Sequence, residues 1–274
     1  MTSADRPAAM TAFIRLLGNE LKLILGRRRN QAGLAVLAGV PVVMALALFF
    51  SGRPARGLLA GNGLMVPMTA LYAEVPFFLP LAIAMLSGDS IAGEAQIGTL
   101  RYLLAVPVGR SRLLIVKGCA LLVGCLLSTC VVGLIGTGTG LALFGAGPTV
   151  GLSGDKLEFA DAVLRVSLMY LYTAVVLMAL AGIGLFISTL TEQPLAATVT
   201  IMIVNILGWI AVAIPELDWL HPWLLQNWAL RFTDLLSQPM FTTDVVHGLW
   251  LAAGYVLVFG LAAWARFARK DITS

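Results

Sequence analysis

Long stretches without a charged residue recur along the chain. Between Arg29 and Arg53 lie 23 residues with no Asp, Glu, Lys or Arg, between Lys117 and Asp155 37, and between Arg165 and Glu192 26. Two more such gaps, of 23 and 21 residues, separate Glu192 from Glu216 and Asp244 from Arg266. An α-helix needs about 20 apolar residues to cross a hydrocarbon core of roughly 30 Å. The pattern therefore predicts membrane-spanning helices over residues 32–50, 118–140, 167–188, 196–214 and 248–265. A sixth, 68–87, is less regular, because it contains Glu74 and is interrupted by Pro76 and Pro80. The expected fold is an all-α integral membrane protein of six transmembrane helices, with residues 1–274 forming one membrane domain.

Shorter patterns flank the spans. Over 11–29, Phe13, Leu17, Leu21 and Ile24 fall on one helical stripe, Arg15, Asn19 and Lys22 on another face, and Arg27-Arg28-Arg29 follows. That is an amphipathic helix suited to lying along a bilayer surface; packing on cytosolic protein is the other reading. Residues 215–247 hold Trp219, Trp223 and Trp228 between Pro215, Pro222 and Pro239, and predict short interfacial helices in an aromatic belt.

Composition sharpens the class. Hydrophobic residues make up 59% of the chain and charged residues 12%, too few charges to cover a soluble fold. A disulfide-stapled secreted domain, a disordered chain and a soluble enzyme are excluded. The net charge of +4 does not point to nucleic acid, because the basic residues sit at the edges of apolar runs. Cys119, Cys125 and Cys130 share one predicted span without a neighbouring His. Cys119 and Cys130 lie about 16 Å apart along the helix axis, too far to pair, and no metal site is expected. The first 30 residues show no cleavable signal. Residues 1–31, 88–117 and 266–274 carry 13 Lys and Arg, against five in 51–67, 145–166 and 215–247. That asymmetry puts both termini in the cytosol and the latter three segments outside the cytoplasmic membrane.

The cytosolic segment 88–117 is rich in local signals. Thr99 can cap a short helix, Leu100, Leu103 and Leu104 share a face, Pro107 ends it, and Arg110, Ser111 and Arg112 open the next helix. A short amphipathic helix slung between two spans either docks on a partner or packs back on its own bundle.

The pattern D-x-I-x-G-E-x-x-x-G-T-L-x-x-L-L-x-x-P-x-x-R-x-x-L-L-x-x-K, from Asp89 to Lys117, resembles the coupling region of type-2 (ABC-2 type) ABC transporter permeases. Asn19-Glu20-Leu21-Lys22 leading to Arg27-Arg28-Arg29 is similar to their interfacial elbow helix, and Arg266 to Ile272 to their ending. Gln96-Ile97 departs from the pattern, where a charged residue is common. The resemblance implies an exporter half that pairs in the membrane with a second permease chain, identical or related, above two copies of a cytosolic ABC ATPase that bind the ATP and Mg. It further implies that Asp89, Gly93, Glu94, Gly98, Thr99, Leu100, Arg101, Leu103, Leu104, Pro107 and Arg110 couple the two. Glu94 and Arg101 would then offer charge-assisted contacts, Leu100 and Leu104 would fill a groove, and Gly93 and Gly98 would allow turns or close approach. No Gly-Lys dipeptide occurs, so the phosphate-cradling loop of an ATPase is missing and no cofactor is expected in this chain.

Two other classes compete. An ion-coupled secondary transporter or channel would place ionisable residues in several spans. Only Glu74 lies inside one, with Asn205 and several threonines as neutral polar groups; Glu74 and Asn205 are the candidates for a translocation path. An intramembrane protease would use Gly151-Leu152-Ser153-Gly154 with His221 or His247, but the serine opens a charged run and both His lie off the spans. The cargo is not legible.

Overall fold

Each long charge-free run forms a helix that continues past the predicted span at one end or both, because the flanking polar residues also favour helix and no Pro or Gly cluster stops it. In the computed structural model, which describes residues 5–51, 62–98, 110–147, 149–150, 156–237 and 240–269, these helices are α2 (Arg28–Phe50), α5 (Arg110–Phe144), α6 (Phe159–Leu190), α7 (Pro194–Ala213) and α9 (Thr243–Ala268). The N-terminal stripe belongs to α1 (Asp5–Gly26). Phe13, Leu17, Leu21 and Ile24 are half-buried, while Arg15, Asn19 and Lys22 are exposed.

The irregular run becomes two helices, α3 (Met65–Glu74) and α4 (Phe78–Gln96), meeting at 57°. Proline explains the break. Pro76 and Pro80 have no N–H, so the carbonyls four residues before each lose their helical donors. Five helices are long and apolar enough to cross a membrane, and the bent pair makes a sixth span when taken together. The chain is thus a helical membrane-type protein. Among the described residues the strands are β1 (Thr149–Val150) and β2 (Lys156–Leu157), paired antiparallel with Thr149 opposite Leu157.

Helix α6 is the central post. Its apolar stretch is 72% buried inside the chain, against 17% for α2 and for α9, whose outward Val43, Trp250, Leu257 and Leu261 are exposed and suit lipid contact. Around α6 pack α9, α4, α5 and α7. Small residues set the closest crossing: a Cβ added to Gly184 would fall 2.0 Å from Ser87 Oγ, so α4 and α6 can meet there only through glycine. Beside it the Ser188 hydroxyl accepts from the Ile91 and Ala92 N–H groups and donates to the Gly88 carbonyl.

Residues 215–237 fold into Pro215–Leu217, His221–Trp223, α8 (Leu225–Ala229) and Arg231–Leu236, all short helical segments. Arg165 of α6 holds this cap down. Its guanidinium donates to the Leu235 and Ser237 carbonyls at 3.0 and 2.8 Å and to Asp161 at 2.8 Å. Phe232 is fully buried beneath it.

Candidate functional site

The sequence-predicted residues fall into two places. The first is the end of the bundle where α1 meets α2, α4 and α5. Helix α1 stops at Gly26 and Arg27 is extended (φ −72°, ψ 121°) before α2 begins. From the first turn of α2, the Asn30 and Gln31 amides donate back to the Ile24 and Leu25 carbonyls at 2.8 and 2.9 Å, satisfying the frayed end of α1. The corner aims Arg27 and Arg29 across at α4. Arg27 donates to the Asp89 carboxylate, and Arg29 Nη2 lies 3.7 Å from Asp89 Oδ1 while donating to the Met85 carbonyl at 3.2 Å.

One turn further along α4, Glu94 accepts from Lys117 of α5 at 2.6 Å. The same ammonium donates to Glu20 of α1. The Lys117 side chain is 3% exposed and that of Glu94 8%. Among the described residues, Arg27, Arg29, Lys117, Glu20, Asp89 and Glu94 thus join four helices through ion pairs. Buried ions are tolerated when paired in this way, and removing one leaves its partners uncompensated. Glu94, expected to offer a charge-assisted contact to an ATPase, lies buried here with Lys117 as one of its partners.

Glycine is needed at two points of this end. A Cβ on Gly93 would lie 2.9 Å from Asp89 Oδ1 and 3.0 Å from Arg27 Nη1, so its absence leaves room for that ion pair. Gly98 takes φ +71° and donates to the Ala95 carbonyl at 3.1 Å, closing α4 in the left-handed conformation glycine favours. Thr99, Leu100, Arg101, Leu103, Leu104 and Pro107 lie outside the described residues. Arg110 is the first residue of α5. The described residues on either side of 99–109 are thus Gly98, one turn from Glu94, and Arg110, about two turns from Lys117.

The second place is the α3–α4 bend. Glu74, the last residue of α3, is fully buried, and neither carboxylate oxygen has a hydrogen-bond partner among the described residues. Next to it, Asn205 of α7 donates from Nδ2 to the Pro76 carbonyl at 3.1 Å, the very acceptor that Pro80 leaves without a helical N–H. Gln226 of α8 donates to Asn205 Oδ1 at 3.2 Å. Asn205 thus braces the bend, and Gln226 ties the cap to it. In the cap itself, burial raises the Asp234 carboxyl above the ordinary carboxylate range against the opposing pull of Arg231.

Residues that the sequence pattern did not mark as site residues also gather here: Glu20, Arg27, Arg29, Lys117, Ser188 and Gln226. The signal that could have found the first four is charge conservation within a membrane chain, since any ion near a span requires a counter-ion. Cys119, Cys125 and Cys130 are free thiols, and no group of three His, Cys, Asp or Glu able to hold a metal occurs among the described residues.

Two similarities bear on what such a bundle does. The family model described as protein of unknown function, DUF2705, matches residues 40–273. The chain belongs to the DUF2705 family. Over 75 residues the DUF2705 chain is also 33% identical to the probable ABC transporter permease protein NosY of Stutzerimonas stutzeri. That stretch covers 27% of each protein, so the chain spans about a quarter of the length of this curated relative.

Proposed function

We propose that this chain is the membrane-spanning permease subunit of an ATP-driven ABC transporter, exporting a substrate across the cytoplasmic membrane. The observation that carries the reading is the 33% identity to a probable ABC transporter permease, joined to a bundle of five to six apolar helices. In this reading two copies of a cytosolic ATPase bind ATP and Mg, and a second permease chain, identical or related, completes the pore.

The charged end then has a mechanical role. An ATPase bound at 99–109 pulls or pushes on the C-terminus of α4 and the N-terminus of α5. Lys117 passes that displacement to Glu20 of α1, and Asp89 passes it to Arg27 at the α1–α2 corner and Arg29 of α2. Closely paired charges with two discrete arrangements are a means of switching a bundle rather than merely deforming it. The proline bend, braced by Asn205, supplies a hinge within α3–α4.

The test is purification of the native complex from membranes. An ABC ATPase should co-purify in equal copy number to the permease chains, and the chain alone should neither bind nor hydrolyse ATP. A native complex without an ATPase sinks the proposal. Glu74 favours a second reading, ion-coupled transport, because a lone buried carboxyl in a span marks ion and proton pathways. That reading requires cation-driven uptake by proteoliposomes containing this chain alone, without nucleotide.

A further inference from the structure

At the charged end of the bundle three cations are left over. Arg27 and Arg29 face Asp89, and Lys117 holds Glu20 and Glu94. Arg15 and Lys22 of α1, and Arg28 at the start of α2, are exposed and have no ion-pair partner among the described residues. Exposed apolar side chains stand beside them on α1: Ile14, Leu23 and Leu25. A face that shows cations and apolar groups together suits the boundary between water and hydrocarbon. Leu25 also belongs to the wall of an apolar crevice of about 140 Å³ between α1, α2, α4 and α5, with Leu34, Met85 and Val123. The crevice is reached from outside, since Leu25 is 41% exposed and Val123 36%. No charged side chain lines it.

We propose that this face and crevice bind an anionic phospholipid of the surrounding bilayer, with its phosphate on Lys22 and Arg28 and the first carbons of one acyl chain in the crevice. Leu25 stands between the two cations, three residues from each. Charge complementarity selects the headgroup: each Lys or Arg near an anionic membrane surface strengthens binding about fivefold. A zwitterionic headgroup brings its own ammonium and loses that gain. A soluble anion meets the cations but leaves the crevice unfilled, and a pure hydrocarbon does the reverse. A phospholipid does both, because its charge and its chain are joined. Depth excludes a cytosolic protein from the crevice, because Leu34 and Val123 lie within the apolar helices α2 and α5. Glu20 lies on the same helix as Lys22, so a lipid that holds α1 in place also holds the Glu20–Lys117 tie. The site requires only a helical membrane protein and stands whether or not an ATPase binds.

The experiment is native mass spectrometry of the full chain released from detergent, titrated with dioleoylphosphatidylglycerol or dioleoylphosphatidylcholine. A discrete first binding event is expected, at least tenfold tighter for phosphatidylglycerol. Lys22→Gln with Arg28→Gln should weaken phosphatidylglycerol roughly twentyfold and leave phosphatidylcholine unchanged. Neither side chain has an ion pair to lose among the described residues, so the variant should melt with the parent in lipid-free detergent. Lys22→Arg with Arg28→Lys keeps both charges and should bind as the parent does. A Cβ on Gly33, which lines the crevice, meets nothing within 4 Å. Gly33→Leu should therefore fill the crevice, weaken phosphatidylglycerol at least fivefold and preserve the preference over phosphatidylcholine. Equal affinity of the parent for the two lipids overturns the proposal, as does parental phosphatidylglycerol binding by the double Gln variant or by Gly33→Leu. Parental lipid binding by the double Gln variant together with loss of a co-purifying protein would assign the basic face to that protein instead.

Discussion

Glu94 and Glu74 are two acids of one bent helix pair, both buried, and the chain treats them in opposite ways. Glu94 stands near the C-terminus of α4 with Lys117 at 2.6 Å, and Lys117 in turn holds Glu20. Glu74 stands at the C-terminus of α3 with both carboxylate oxygens unpaired among the described residues. A paired buried ion fixes the relative positions of the helices that supply its partners. An unpaired one fixes nothing and is a liability to stability. Retaining a destabilising group is reasonable where it serves function, as strain is retained at active sites. The contrast sets an ion-paired joint at the charged end against an unpaired carboxyl at the bend, and variants of each acid test whether the second one serves transport.

Lys117→Met breaks the contrast most severely. It leaves Glu20 and Glu94 facing each other without a cation in a site where Lys117 was 3% exposed, and removal of one partner from a buried ion group typically costs about 3–5 kcal/mol. Thermal unfolding in detergent, followed by tryptophan fluorescence, should show the largest drop of any variant considered. Adding Glu20→Gln and Glu94→Gln to Lys117→Met should recover most of the loss, because neutral partners need no counter-ion. A Lys117→Met protein as stable as the parent would mean that the ammonium carries no structural role.

Asn205→Leu comes next. It removes the donor on the Pro76 carbonyl and the acceptor of Gln226, and each buried polar group left unpaired costs about 1–3 kcal/mol. Gln226→Leu removes only the donor on Asn205 Oδ1 and leaves the Pro76 bond, so it should fall between Asn205→Leu and the parent on the same melting scale if the Pro76 bond matters. Equal stability of all three proteins would mean that the bend holds itself.

Gly93→Ala is smaller again. Its methyl would sit 2.9 Å from Asp89 Oδ1 and 3.0 Å from Arg27 Nη1, and mild overpacking of this kind costs about 1 kcal/mol. Alanine's better helix propensity, worth roughly 0.8–1 kcal/mol over glycine, offsets most of it. The melting temperature should hardly move, yet Arg27 should be looser. Trypsin cleavage within Arg27-Arg28-Arg29 should therefore quicken several-fold, and an unchanged rate would show that the Arg27–Asp89 pair tolerates the methyl group.

The spans were legible because membrane helices are written locally. A charge-free run of about 20 residues carries its own instruction, and Pro76 and Pro80 announced the bend of α3–α4 before any coordinate. The partners were not legible, because they join residues far apart in the chain. Asn205 reads as a lone polar residue in an apolar run; that it repairs the carbonyl orphaned by Pro80 depends on α7 crossing α4 129 positions away. Lys117 reads as the end of a motif, and only the return of α1 to α5 gives it Glu20, 97 positions away. Ser188 carries no signal at all, since its hydroxyl becomes a joint only where Gly184 lets α6 approach α4. Glu94 reads as one charge of a local motif, and only the packing of α4 against α5 gives it Lys117, 23 positions away.

Glu74→Leu should affect stability least and separates the two acids most cleanly. Leucine approximates the volume of the glutamate side chain and brings no polar atom into a site that is already fully buried. Replacing an unpaired buried polar group by an apolar one is near neutral or stabilising, by about 1 kcal/mol. The variant should insert, fold and melt at or above the temperature of the parent, the opposite of Lys117→Met. Transport by the reconstituted complex should nonetheless fall at least tenfold, because the carboxyl retained against its own cost would be gone. Loss of stability comparable to Lys117→Met would mean that Glu74 has a partner in the folded chain and that the two acids play the same structural part. Full transport together with unchanged stability would leave Glu74 without a function at the bend, and would confine the working chemistry of this chain to the charged end.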